Sequence, residues 1–222
     1  MEAVDSSARS ALRCSFIASL VITASCATAC HVSTSGSRLI PAAFWFDGVT
    51  PASVSVVSER LSAPLTSADL LAIESAARRE LQIAFEHTRL HFTDSPRPAF
   101  RVRVVPQPEH GRSFPAAGES RAFGGIRGNG TVNFNIVALS ALAYADRSSG
   151  REALVHAIGR GVGRTAVHEF AHQILGPAGM DGNADRLSYE HGDLRAEHFN
   201  APLHWGPAAA QLQQRIGLRR SR

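Results

Sequence analysis

Two histidines four residues apart, with a glutamate directly after the first, occur in the stretch His168-Glu169-Phe170-Ala171-His172. On a helix, positions four apart lie one turn apart on one face, so both imidazoles can address a single metal ion. Zinc takes nitrogen ligands at about 2.0–2.1 Å and, in a catalytic site, keeps one position for water. Glu169 lies about 100° further round the helix. It is badly placed to join the histidines as a ligand and well placed to take a proton from a water at the metal.

These residues need a helix to hold them. Residues 152–175 contain no proline, and valine, isoleucine and phenylalanine flank the candidate ligands, as suits a half-buried helix. Gly176-Pro177 then stops it. Gly159, Gly161 and Gly163 alternate in its first half. Each costs about 1 kcal/mol against alanine. Either another element approaches closely there, or the helix starts later, near Arg164. The competing reading of the motif is an amphipathic helix with two surface histidines.

The stretch resembles the active-site helix of the zincin metallopeptidases, and the glycine soon after the second histidine is most similar to the metzincin side of that clan. The resemblance is specific over about ten residues. It implies an α+β fold: a small twisted sheet, a long active-site helix and a mainly helical C-terminal part. It also implies a zinc ion, hydrolysis of peptide bonds in a peptide or protein substrate, His168 and His172 as ligands, and Glu169 as the base. The chain departs from the metzincin pattern H-E-x-x-H-x-x-G-x-x-H. The glycine comes one residue late, at Gly176, and Ala178 stands where the third histidine would be.

A third ligand must come from elsewhere. Asp181 is preferred, because Gly176-Pro177-Ala178-Gly179 can swing its carboxylate back under the metal, and some zincins use aspartate there. Glu190 is the next choice, in a layout similar to zincins that take a downstream glutamate; His191, Asp185 and His198 follow. Residues 181–185 also read as D-x-N-x-D, the start of a calcium loop, but Gly192 sits where the bidentate glutamate belongs. A polar turn explains them better. Ser188-Tyr189-Glu190 takes roughly the place of the metzincin methionine turn, without a methionine. Tyr189 reads as packing ahead of any role at a tetrahedral intermediate.

The chain has 222 residues, room for an export segment and one domain. All 23 basic residues are arginine, and a net charge of +4 with no basic stripe argues against a nucleic-acid partner. Residues 1–30 read as an export signal: Arg9 and Arg13, a short apolar run over 15–24, then small residues. The run is too short to span a bilayer as a helix. Ala27-Thr28-Ala29 suits ordinary cleavage before Cys30; alternatively Cys26 or Cys30 carries lipid, the one link to a membrane. The expected location is therefore periplasmic, cell-envelope or extracellular. All three cysteines lie in this segment, so a metal in the domain must be held by His, Asp or Glu. Residues 31–41 read as a spacer and 42–222 as the zincin-like domain.

Within the domain, residues 54–58 have strand composition. Thr66 or Ser67 caps an amphipathic helix that the apolar spacing carries to about Phe92. It would contain a second i,i+4 pair, His87 and His91, read as surface residues because position 88 is threonine. Residues 100–105 alternate as a half-buried strand. Residues 106–129 read as a polar loop, and the glycines of 124–130 as a turn with no phosphate-binding setting. Residues 131–137 alternate again and are either an ordinary internal strand or the cleft-edge strand that, by analogy with zincins, pairs with extended substrate. Short helices follow over 138–145 and 193–199, the latter capped by Asp193. A final helix after Pro207 shows the face Ala208, Leu212 and Ile216, with Trp205 anchoring it. The function expected is a zinc metallopeptidase. The rival, kept open by the missing third histidine, is a catalytically inactive zincin-like binding protein of the envelope.

Overall fold

A computed structural model describes residues 38–219, without 59, 108–115, 147 and 177–179. The readings of residues 1–37 and of Ala178 lie outside the described residues. The fold is mixed α/β: one five-stranded sheet and six helices among the described residues. No helix among them is long and apolar enough to cross a membrane.

The first strand, β1 (Ile40–Phe46), buries Ala42, Ala43 and Phe44. Ile40 and Pro41 are paired with Leu90 and His91, so these two residues belong to the sheet and not to a spacer. Residues 55–58 are a helical turn, α1 (Ser55–Ser58), and not a strand. Thr50 and Ser53 exchange side-chain hydrogen bonds with each other's backbone N–H, which starts the turn and sends Val54 and Val57 inward together.

Next comes α2 (Ser67–Ala84). Thr66 Oγ1 accepts from Asp69 N–H, and the Asp69 carboxylate accepts from Thr66 N–H, a capping box worth about 1 kcal/mol. Leu70, Ile73, Ala77 and Leu81 are its buried stripe. The helix stops at Ala84, eight residues before the apolar spacing does. Phe85 and Phe92 both reach Phe170, with centroids 6.2 and 5.4 Å away. They reach it from different elements, because Phe92 ends the short strand β2 (Leu90–Phe92). His87 therefore lies in a turn and His91 on a strand, and the two form no helical pair.

The strand β3 (Phe100–Val105) alternates buried and exposed as expected. Part of the segment read as a polar loop is a strand, β4 (Gly118–Phe123), antiparallel to β5 (Arg127–Asn133). Gly124 and Gly125, with φ of 63° and 70°, make the connecting turn. The sheet order is β2-β1-β3-β5-β4, with every pair but the last parallel. So β5 is internal, and the edge strands are β2 and, beside β5, β4. Strand character ends at Asn133, whose side chain accepts from Ile136 N–H and caps α3 (Phe134–Tyr144).

The helix α4 (Arg151–Leu175) runs unbroken through all three glycines. They mark close approach. A β-carbon on Gly159 would lie 2.6 Å from Ala76 Cβ, and one on Gly163 2.6 Å from Ala77 O, both on α2. The Arg164 guanidinium, itself buried, joins the same two helices through Glu80 (Nε to Oε2, 3.0 Å). After Gly176 (φ 81°) the chain is mostly irregular, not mainly helical. Its two short helices are α5 (Ala196–Asn200), capped at Arg195 and not Asp193, and α6 (Ala208–Ile216). Ala208, Leu212 and Ile216 are buried. Trp205 Nε1–H donates to Ala84 O at 2.7 Å and fixes the segment before α6 to the end of α2.

Candidate metal centre

His168 and His172 lie on adjacent turns of α4, with their Nε2 atoms 3.1 Å apart. Asp181 meets them from the irregular segment: Oδ1 is 2.8 Å from His168 Nε2 and Oδ2 is 3.4 Å from His172 Nε2. Two donors each about 2.0–2.1 Å from a tetrahedral ion lie about 3.3 Å apart. The three side chains thus offer two nitrogens and a carboxylate at a spacing that could hold a metal ion. Asp181 is also the one described non-glycine residue with positive φ, 68°. Aspartate tolerates that conformation better than most residues, and here it turns the carboxylate toward the histidines.

The first histidine is oriented from behind. A backbone carbonyl can only accept, so His168 Nδ1–H donates to Tyr189 O (2.9 Å), which leaves Nε2 as the ligating atom. The site is electrostatically coupled in the metal-free protein. Burial alone would lower the His168 pKa, but hydrogen bonds to the Asp181 carboxylate and the Tyr189 carbonyl outweigh it and raise it. Burial, and then the charge of His168, lower that of His172. The hydrogen bond from His168 lowers that of Asp181.

Glu169 points elsewhere, as its position on the helix requires. It is 5% exposed and lies against Gly118 at the start of β4. Its Oε2 is buried with no hydrogen-bond partner among the described residues. Burial pushes its pKa up to about 7, against smaller opposing effects of Ser120 and His168. A buried carboxyl group with a spare oxygen beside a metal-capable cluster suits proton transfer better than structure.

The other candidates are placed apart from the three donors. Glu190 is 3% exposed, and both oxygens are used: Oε1 accepts from Ala208 N–H (2.9 Å) and Oε2 from Asn183 Nδ2 (3.0 Å). It fastens the irregular segment to the start of α6. Asp185 accepts from Leu187 N–H and pairs with His204 at 3.0 Å, a polar turn as expected and no part of a metal cluster. His191 donates from Nδ1 to Asn183 O, and His198 Nε2 is taken up by Gly161 O. Both line the cavity of about 370 Å³ that holds the three donors, without joining them. Tyr189 is buried against Trp205 (centroids 5.0 Å), and burial pushes its hydroxyl up to about 12. Its side chain packs, and its carbonyl serves the site.

Several contributors were not visible in the motif. Ser120 Oγ donates to Glu169 O (3.0 Å), tying the edge strand to the helix. Gln173, fully buried, receives Arg101 N–H and donates to Arg101 O. It lies against Gly128, where a β-carbon would collide with it, and near Gly130, where a β-carbon would first meet Ser120 Oγ. Such a polar residue on the sheet-facing side of a helix, opposite two glycines on a strand, is a signal only once the strand is known. Compared with protein-family models and with curated proteins, the chain matches neither.

Proposed function

We propose that the chain is an exported zinc metallopeptidase of zincin type. The observation that carries this reading is the meeting of His168, His172 and Asp181 donors within 4.8 Å, beside a buried carboxyl group on the adjoining helix position. Zinc is the metal of choice because two imidazoles and one carboxylate leave a fourth position, the donor set of catalytic zinc sites. The fit extends outward, since His168 has the carbonyl partner that such ligands use. Export rests on residues 1–30, with their charged start and short apolar run.

Zinc bound here would polarise the scissile carbonyl and acidify a water. The protein does the rest. Glu169, as carboxylate, takes a proton from the attacking water and gives it to the departing amine. The β4 edge is the strand for substrate: it borders the cavity through Gly118 and Ser120, and among the described residues no strand pairs with its outer side. An extended peptide can pair there in strand fashion. Ser120 fixes the distance between that edge and Glu169.

The test is zinc content and peptide cleavage by the full chain, beside His168→Ala and Glu169→Gln. The reading expects one zinc and cleavage in the parent, zinc loss in the first variant, and retained zinc with cleavage lost in the second. Zinc without cleavage in the parent would leave the inactive binding protein as the better account.

A further inference from the structure

The cavity that holds the three donors is lined on its other parts by Ala117, Thr165, Leu194 and His198, here called the recess. Its polar chemistry is set by one carbonyl. Gly161 O lies 2.9 Å from Thr165 Oγ1 and 3.2 Å from His198 Nε2, and those two atoms are 3.3 Å apart. A carbonyl cannot donate, so Thr165 and His198 both donate to it, and Nε2 carries the ring proton. A neutral imidazole protonated on Nε2 has its lone pair on Nδ1. Among the described residues, nothing hydrogen-bonds to His198 Nδ1. Burial, with Arg164 adding to it, pushes this ring down to about 3, so it stays neutral through the physiological range.

The ring is held firmly. Arg164 Nη1 donates to His198 O (2.9 Å) and Arg160 Nε to Phe199 O (2.7 Å), so two arginines of α4 grip the backbone of α5. Phe199 fills the space that Gly161 leaves open. A fixed acceptor in the same cavity lining as the apolar side chains of Ala117 and Leu194 is a recognition feature.

We propose that this recess receives one side chain of the substrate and that His198 selects there for a group that donates a hydrogen bond. The proposal rests on the peptidase reading and gives its site a preference. Threonine, asparagine and glutamine fit: an apolar stem meets Ala117 and Leu194, and a donor meets Nδ1. An aliphatic side chain would bury that acceptor without a partner. A carboxylate finds no free donor on the ring.

The test uses the zinc-loaded full chain and peptides that differ only by Thr or Val, or Asn or Leu, at each of three residues either side of the cleaved bond. At one position the parent should favour the donor by about tenfold in kcat/KM. His198→Phe should lose that preference, so that the ratio of kcat/KM between the threonine and valine peptides falls to about one. Binding of the same pairs to Glu169→Gln by calorimetry should show the same preference without turnover. Nitrogen NMR of the parent at pH 7 should find His198 protonated on Nε2 only, a check that needs no variant to fold. Equal treatment of both peptides by the parent, a preference that survives in His198→Phe, or a ring protonated on Nδ1 overturns the proposal. Selective binding with no cleavage by the parent would sink the peptidase reading and leave the recess standing. Cleavage with no selectivity would do the reverse.

Discussion

Gly118 faces the carboxyl group of Glu169 so closely that a β-carbon built on the glycine would overlap Glu169 Oε1. The edge strand and the general-base candidate therefore share one space, and only a glycine leaves room for both. Gly118→Ala should push the carboxyl group aside without touching His168, His172 or Asp181. A displacement of about 1 Å at a reacting group costs about 100-fold. Peptide cleavage should fall by about that factor while zinc content stays at the parent value. Parent-like cleavage would mean that proton transfer does not use this carboxyl group.

Asp181 and Glu190 are both carboxylates of the irregular segment, and their variants should fail in different ways. Asp181→Gly removes a proposed ligand but suits a backbone with φ of 68°. It should weaken zinc binding by at least about 100-fold with thermal stability of the metal-free protein kept or raised. Glu190→Ala leaves Ala208 N–H and Asn183 without their acceptor in a buried place. It should cost about 2–3 kcal/mol in urea unfolding. Competition titration of zinc and denaturation of the chelator-treated protein separate the two.

Glu169 should make the metal-free fold sensitive to pH. Its pKa stands at about 7 in the fold, against the usual 4.5. The folded state therefore holds the proton more tightly, and stability falls as pH rises from 4.5 to 7, with the full cost present above 7. A shift of this size is worth about 3 kcal/mol. Chelator-treated Glu169→Gln should match the parent near pH 4.5 and exceed it by about that amount at pH 8. Urea unfolding at both values checks it; a constant difference would mean that Glu169 is solvated.

The motif was legible because its geometry is local: spacing on one helix is enough to pair His168 with His172 and to send Glu169 elsewhere. The Thr66 cap and the face of α6 are local in the same way. Strand β4 was not legible, because Gly-Glu-Ser-Arg-Ala-Phe has little strand character and gains its state by pairing with β5. Gly128 and Gly130 read as loop because the reasons for them, Gln173 on a distant helix for the first and Ser120 on β4 for the second, are tertiary. Asp181 could be proposed over Glu190 from the Gly-Pro-Ala-Gly composition before it. What separates them physically is tertiary: Glu190 is consumed by Ala208 and Asn183, and Asp181 faces the histidines. The end of α2 was misplaced because Phe85 and Phe92 satisfy the helical spacing by chance and reach Phe170 from two elements.

Gly163 holds α4 against α2, and its replacement tests how that packing supports the candidate metal centre. A β-carbon there would lie 2.6 Å from Ala77 O and 2.8 Å from Ala77 Cα. Both are backbone atoms, so no side-chain rotation relieves the contact, and the helices must part. In isolation, glycine to alanine would favour a helix by about 1 kcal/mol. Overpacking a closed interface costs about 1–3 kcal/mol and opposes it. The buried pair of Arg164 and Glu80 lies one residue on and depends on the same spacing. Parting the helices would loosen a charge pair that has little solvent, so the upper end of that range should apply. Gly163→Ala should therefore lower stability by about 2 kcal/mol in urea unfolding. His168 and His172 sit further along the same rigid helix, so zinc affinity of the folded protein should hold within about threefold. A stabilised variant would show that the helix interface has room that these contacts deny.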